Sequence, residues 1–543
     1  MPRDRLNPAR PPSPVSHVVE NQDEAIAFLS DPATHGKAVP VQRIDTHGAV
    51  VFLAGEVALK LKRAVRFPFM DLSTVTKRRG ACEKEIAVNK AYAPQIYVDA
   101  IPITRQGDKL QLGGEGPAVD WVVRMRRFDE TRTLDRLAEA GELDAAILAA
   151  TAQAVLASHR RAPVREGQEA ALSLKRYIQQ NDDALRESPH LFPEGKVAEL
   201  TQASEAAFDA CHPLLIARGK AGFVRRCHGD LHLRNIAMID GRPTLFDAIE
   251  FDEAIATCDV LYDLAFLLMD LWDRGLEQAA NTVLNRYLWH VGEDAHIAGL
   301  EALPLFLSIR AALRAKISAS AAPMQAPDKI AAMEEEARRY FDLARRLLEP
   351  ITPRLVAIGG LSGTGKSTLA GAIAPFLGMV PGAVILRSDV ERKRLAGVPE
   401  TQRLPPHAYT PETSAAVYDT LNRKARLALQ AGYSVILDAV HARATERDVV
   451  EGIAMQAGVS FAGIWLSAPI CVMMNRVAKR STDASDADVA VVRKQLTYDL
   501  GRIAWYRLDA GSLLSDLTDD ALALLAVKRD VPIRASLTAR CKR

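Results

Sequence analysis

Cysteine is scarce in this chain, and what there is lies scattered. The six cysteines, at 82, 211, 227, 258, 471 and 541, include no C-x-x-C pair. That excludes a disulfide framework and a cysteine-based zinc site, and it fits reduced thiols in the cytoplasm. A dominant charge is also missing: 69 Lys and Arg face 67 Asp and Glu, for a formal net charge of +2. No global basic field is present, so nucleic acid is not an expected partner. No apolar run approaches the ~18 residues of a membrane span, so no membrane partner is expected either. The greasiest stretch, LYDLAFLLMDLW at 261–272, carries embedded aspartates and reads as a buried helix. The opening MPRDRLNPARPPSPVSH lacks an apolar core and reads as a disordered lead-in (1–20), not a signal peptide. Hydrophobic residues at 48% and charged residues at 25% are ordinary for a globular protein.

What is present begins with IGGLSGTGKSTL at 358–369. Gly360 to Ser367 fits the phosphate-loop pattern G-x-x-x-x-G-K-[ST]. An apolar strand pattern precedes it and a helical pattern follows. The bland alternative, a glycine-rich turn with an exposed lysine, does not require that context. Backbone N–H groups along Gly360, Ser362, Gly363, Thr364, Gly365, Lys366, Ser367 and Thr368 would cradle ATP phosphates at a helix N-terminus. Lys366 would reach the β- and γ-phosphates, and Ser367 would hold Mg²⁺.

Strand patterns follow at 383–389, 434–440, 461–469 and, more weakly, 504–510, with helical segments between them. This alternation predicts a parallel α/β sheet covered on both faces, with function at the C-terminal strand ends. Asp389 ends one strand, and Arg392 follows three residues on. Together they suit a substrate hydroxyl and an anionic group, with Asp389 in a catalytic role. Asp438 ends another strand and would support Mg²⁺ through water. A helix cap is the competing role for either aspartate. Arg476 and Arg480 lie four apart on one helical face and predict a lid closing over the phosphates, or else surface ion pairs. This region resembles the AAA-type ATP-binding family that includes zeta-toxin-like and gluconate-kinase-like proteins.

The longer N-terminal part has its own phosphate chemistry. Residues 41–62 alternate as a hairpin about the turn AGE. Lys60 and Lys62 share a face by the period of two, and either would neutralise nucleotide phosphates. Glu83 and Glu85, on the helix read at 77–92, are candidates to pair with that lysine; Glu85 is the one assigned to the nucleotide site. Further on, CHGDLHLRNIAMIDGRPTLFDAIEFDE at 227–253 supplies a loop, a hairpin and a carboxylate at a strand end. Phosphoryl transfer needs one carboxylate to take the acceptor proton, and an amide with a second carboxylate to hold Mg²⁺. Asp230 is assigned as base, and Asn235 and Asp247 as metal ligands. A metal hydrolase would want more histidines at ligand spacing than His228 and His232. The HGDLHLRN…LFD block resembles the aminoglycoside phosphotransferase family, relatives of protein kinases. The resemblance implies an α+β kinase-like fold over about residues 40–320 and makes Asp263 a buried support. No G-x-G-x-x-G precedes Lys60; THGA at 46–49 stands in its place.

The expected organisation is a kinase-like domain at 21–326, a connecting helix at 327–350 and a P-loop domain at 351–543. The expected activity is transfer of the ATP γ-phosphoryl group to hydroxyls of small polar molecules, with ATP and Mg²⁺ at one or both sites. Two alternatives stay open: one domain is a regulatory ATP-binding module, or one is a toxin-like kinase acting on a protein or nucleotide sugar. The acceptors and the oligomeric state are not readable.

Overall fold

The structure is a computed structural model that describes residues 18–36, 40–46, 48–67, 70–479 and 483–527. Most of the lead-in, His47 in the THGA segment, Arg480 and Cys541 lie outside the described residues.

One compact unit comprises the chain through Thr133 together with Thr244–Ala256. Its core is a six-stranded antiparallel sheet in the spatial order Gln42–Asp45, Ala49–Ala54, Val57–Lys62, Ala118–Arg126, Tyr97–Gln106, Lys109–Leu112. The hairpin turn at Gly55 has φ 58°, a left-handed conformation that glycine adopts without a Cβ clash. Period-two alternation buries Val50, Phe52, Leu59, Leu61, Ile103 and Val122 together. The opposite face of Val57–Lys62 therefore presents Lys60 and Lys62. The helix Val75–Asn89 starts where the Thr74 side chain accepts from the Lys77 N–H, and it buries Arg78, Glu85 and Asn89. Arg78 Nε donates to Asp120 Oδ1 at 2.8 Å, so the buried guanidinium is paired.

The other unit comprises Leu134–Pro243 and the chain from Thr257 onward. Its first part is helical, with Ala145–Arg161, Gly167–Arg186, Glu194–Lys220, Val260–Asp273, Glu277–Val291 and Leu303–Ala321 as the main helices. The run Asp294–Ala321 is long and apolar enough to cross a membrane by length and composition, at a mean hydropathy of 1.3. The expectation of no such run is corrected here: its charged and polar residues are spread thinly enough that the average stays apolar. Within this fold, 78% of that window is buried.

The helix Pro327–Arg346 spans most of the expected connector, and it packs rather than bridging solvent. Ser308 Oγ donates to Ala344 O at 2.9 Å, and Arg339 makes a two-pronged contact with Asp273 at 2.8 and 2.9 Å. After it comes a five-stranded, all-parallel sheet in the order Val384–Arg387, Val435–Asp438, Arg354–Gly359, Ser460–Ser467, Tyr506–Asp509. Continuous apolar runs fit strands covered on both faces.

The sheet's Val384–Arg387 edge is closed by the helix Glu277–Val291 of the preceding helical part. Asn285 accepts from Ile385 N at 2.7 Å and donates to Ala383 O at 3.2 Å. Trp289 Nε1 donates to Ile385 O at 2.7 Å. An open edge would leave these backbone groups unpaired, and the helix side chains satisfy them. Arg286 and Glu400 add an ion pair at 2.9 Å. Packing is thus continuous across position 350, where the sequence changes character.

Candidate active sites

In the phosphate loop, Gly360 and Gly363 are required by space as well as by backbone angle. Their φ values are 139° and 84°, and a Cβ on either would come within 2.6 Å of a carbonyl oxygen, that of Leu466 or of Met473. The loop leads into the helix Lys366–Ile373 at the C-terminal end of the central strand. Gln495 Oε1 accepts from the Ser362 N–H at 2.7 Å, and Thr364 Oγ1 donates to Leu361 O at 2.8 Å. Lys366 Nζ donates to Leu361 O at 3.1 Å, and Thr368 is exposed.

Ser367 Oγ donates to Asp438 Oδ2 at 2.5 Å, bringing the two assigned metal-holding oxygens together. Hydroxyl and carboxylate are the hard oxygen donors that suit Mg²⁺. Arg387 Nε stands 3.2 Å from the same Asp438 oxygen, and its Nη2 is 2.8 Å from Asp483. Sequence reasoning missed Arg387, whose position inside a strand pattern gives no hint of these distant partners. Burial pushes the Asp389 carboxyl above its ordinary value, against the pull of Arg387 and a hydrogen bond to Ser485. Arg392 is occupied elsewhere: Nη1 donates to Ala408 O at 2.8 Å, and the guanidinium lies over the Tyr409 ring. Arg476 sits on the helix Ile470–Ala478 and donates to Ala510 O at 2.9 Å, with longer contacts to Gly363 O and Thr364 O. It braces the phosphate loop by its backbone.

In the small lobe, Lys60 Nζ lies between Glu85 Oε1 at 2.9 Å and Asp247 Oδ1 at 2.7 Å. Lys62 also reaches Glu85, and it pairs with Glu250 at 2.5 Å. Both lysines therefore touch Glu85, and of the two Lys60 is the one that touches Asp247 among the described residues. Glu83 instead pairs with Arg79 on the exposed face. Asp247 has φ 59°, unusual for a residue with a side chain, and its N–H is held by the Tyr97 hydroxyl. Burial alone would raise the Glu85 carboxyl, but Lys60 and Lys62 outweigh it and hold the pKa at about 2. Burial likewise opposes charge on Lys60, and Asp247 and Glu85 reverse that, keeping it well above the ordinary lysine value. Glu250, not assigned from the sequence, completes this charge network.

In the larger lobe, the Asn235 side-chain amide donates to Asp230 O at 2.9 Å and to Asp230 Oδ2 at 3.0 Å. This sets the two assigned residues side by side and leaves the amide oxygen of Asn235 as a metal donor. His232 Nε2 is 3.4 Å from Asp230 Oδ2. Burial pushes the Asp230 carboxyl up, but His232, His228 and Arg310 outweigh it and hold it below the usual carboxylate range. Asp263 accepts from the N–H of Gly229 at 2.8 Å and of His228 at 3.3 Å, which fixes the loop just before the base. His159, Cys227 and Asp263 bring potential ligand atoms within 4.8 Å of one another. Both Asp263 oxygens already serve the loop, so this cluster works as a brace.

The chain is similar to known proteins over both parts. The description "Phosphotransferase enzyme family" matches residues 75–300, and "AAA domain" matches residues 355–498. Two relatives, the uncharacterized proteins Rv2004c of Mycobacterium tuberculosis and Mb2027c of Mycobacterium bovis, are each 30% identical over 471 residues, covering 84% of this chain and 90% of theirs. Among solved structures, a choline/ethanolamine kinase family protein from Mesorhizobium loti is 18% identical, covering 60% of this chain and 95% of its own, with a TM-score of 0.38. A gluconokinase from Sinorhizobium meliloti is 21% identical, covering 32% and 92%, with a TM-score of 0.24. The chain belongs to the family of these mycobacterial proteins, and it joins an N-terminal kinase-like phosphotransferase domain to a C-terminal P-loop kinase-like domain in one polypeptide.

Proposed function

We propose that the protein is a bifunctional ATP-dependent phosphotransferase, acting in the cytoplasm on hydroxyls of small polar molecules. The observation that carries this reading is a recurrence. A lysine and a metal-suited carboxylate recur, once as Lys60 paired with Asp247 and once as Lys366 next in the chain to Ser367, whose hydroxyl meets Asp438.

At the first site, Asp230 accepts the hydrogen bond of the acceptor hydroxyl and takes its proton as the phosphoryl group transfers. Lys60, oriented by Glu85, neutralises nucleotide phosphates. Asn235 and Asp247 are the residues the sequence assigns to Mg²⁺, which would supply neutralisation of phosphate charge. At the second site the phosphate-loop N–H groups and Lys366 hold the triphosphate, and Ser367 and Asp438 offer the metal oxygens. Asp389 orients the acceptor hydroxyl, and its burial keeps water from competing. In both sites the side chains contribute mostly position and electrostatics, which is what a loose phosphoryl-transfer transition state requires.

The test is Mg²⁺-dependent ADP release by the full-length protein across a metabolite collection. Asp230→Ala and Lys366→Ala should abolish release with different sets of acceptors. Turnover that ignores both substitutions would contradict the reading.

A second reading, in which one domain senses nucleotide for the other, is favoured by the Trp289 contact with Ile385. That contact joins the phosphotransferase domain to the strand that ends at Arg387, beside Asp438. It expects a non-hydrolysable ATP analogue at one site to change turnover at the other.

A further inference from the structure

A cavity opens beside the Asp230 loop, within the larger lobe. His232, Arg234, Phe266, Arg274, Arg314 and Tyr340 line it, and Asp270 is its one carboxylate among the described lining residues. Four elements build it: the turn Leu233–Asn235 and the helices Val260–Asp273, Leu303–Ala321 and Pro327–Arg346. The helix that leads toward the P-loop domain thus contributes Tyr340 to a wall of the phosphotransferase domain.

The charge of this cavity is one-sided. Asp270 is fully engaged: Oδ2 accepts from Leu233 N at 2.9 Å, and Oδ1 accepts from Arg274 Nε at 3.0 Å. That bond uses Nε, so among the described residues the terminal nitrogens of Arg274 remain as donors. Asp273 and Glu336, two further acidic groups on these helices, lie 2.8 and 4.0 Å from Arg339. Arg234 is 63% exposed, and its ion-pair partner Asp135 stands 3.7 Å away, a loose contact. His232 links the cavity to the chemistry, with Nε2 3.4 Å from Asp230 Oδ2 and a buried Nδ1 that has no hydrogen-bond partner among the described residues.

We propose that this cavity binds the acceptor of the phosphotransferase site and that the acceptor is an anion, a hydroxyl compound bearing a phosphate or carboxylate group held by Arg234, Arg274 and Arg314. This rests on the kinase reading of the Asp230 loop. Guanidinium forks match the planar or tetrahedral oxygens of such groups, and three of them around one neutralised carboxylate repel an ammonium-bearing acceptor. The hydroxyl of the bound molecule lies toward Asp230. Its oxygen forms a bond to the γ-phosphorus of ATP as the bond from that phosphorus to the β–γ bridging oxygen breaks. ADP leaves with the electron pair, and the hydroxyl proton passes to Asp230.

The experiment fills both nucleotide sites of the full-length protein with a non-hydrolysable ATP analogue and Mg²⁺, then measures binding of radiolabelled inorganic phosphate by equilibrium dialysis. Acetate and choline serve as competitors. Phosphate should bind, and the Arg274→Gln/Arg314→Gln double variant should bind it at least about tenfold more weakly, the loss of one charge-assisted contact or more. Arg234→Gln, at an exposed position, should weaken binding without lowering the melting temperature, which separates ligand loss from misfolding. Competition by acetate assigns a carboxylate-bearing acceptor; resistance to acetate assigns a phosphate-bearing one. Absence of phosphate binding, equal binding by all variants, or displacement by choline overturns the proposal. If the arginine variants lose phosphate while Asp230→Ala leaves ATP turnover unchanged, the anion site stands and the kinase reading of this loop falls.

Discussion

Trp289 donates its indole N–H to the carbonyl oxygen of Ile385 at 2.7 Å, so a helix of the phosphotransferase domain closes the edge of the P-loop sheet. One helical turn before it, Asn285 accepts from the N–H of the same Ile385. The strand so held ends at Arg387, whose guanidinium lies 5.6 Å from the Trp289 ring and 3.2 Å from Asp438. The two domains are therefore joined where the second keeps its metal-suited oxygens.

This joint makes the first prediction. Asn285→Ala should leave the buried Ile385 N–H without its side-chain partner, while the Ala383 carbonyl keeps the Asn281 amide at 3.1 Å. The cost should be about 1–3 kcal/mol, typical of a buried group left unsatisfied. The measurement is chemical denaturation of the full-length protein, and a change below about 0.5 kcal/mol would show that the edge is not held this way.

The Ser367–Asp438 pair makes the second. Asp438→Asn should weaken Mg²⁺ binding at the P-loop site by at least about tenfold, because it removes one charge from a hard-oxygen donor set. It should leave turnover at the Asp230 site unchanged. Titration of Mg²⁺ against P-loop-dependent ADP release reads it.

The third concerns pH. Glu85 is fully buried, and its pKa falls from an ordinary 4.5 to about 2. The folded form gives up its proton more readily than the unfolded one. Its contribution to stability is therefore complete above pH 4.5 and is lost as pH falls toward about 2. Glu85→Gln should flatten the acid limb of the small-lobe melting profile. At neutral pH it should also cost about 3–5 kcal/mol, as expected when one partner of a buried ion pair is removed. A melting profile in which both proteins lose stability equally between those pH values would refute the assignment.

The fourth concerns the proton acceptor. Asp230→Asn should lower kcat at the phosphotransferase site by about 10²- to 10⁴-fold, the usual contribution of a positioned base. The KM for ATP should change far less, since Asp230 is not among the groups assigned to the nucleotide. A matched rise in KM with unchanged kcat would instead make Asp230 a binding residue.

Much of this arrangement was legible in the chain. The phosphate loop is a local motif, so Gly360 to Ser367 could be assigned from their own spacing. Asp230, Asn235 and Asp247 follow one another closely enough for loop, hairpin and strand end to be read in order. Period two put Lys60 and Lys62 on one face, but it could not choose between them, and the structure shows why: both bond to Glu85, while Asp247 distinguishes Lys60. Other features depend on distant approach. Arg392 lies three residues after Asp389, yet its guanidinium turns to Ala408 and Ser414. Arg387 gains its role from Asp438 and Asp483, far along the chain. The basic cavity joins side chains from residue 232 to residue 340, and no short window contains them. Asn285 and Trp289 read as ordinary residues of an amphipathic helix until the sheet edge stands beside them.

The most direct test of two nucleotide sites on one chain is the stoichiometry of a non-hydrolysable ATP analogue bound with Mg²⁺ to the full-length protein. Two molecules per chain are predicted, with Lys60→Ala and Lys366→Ala each removing a different one. A stoichiometry of one that a single substitution abolishes would contradict the account.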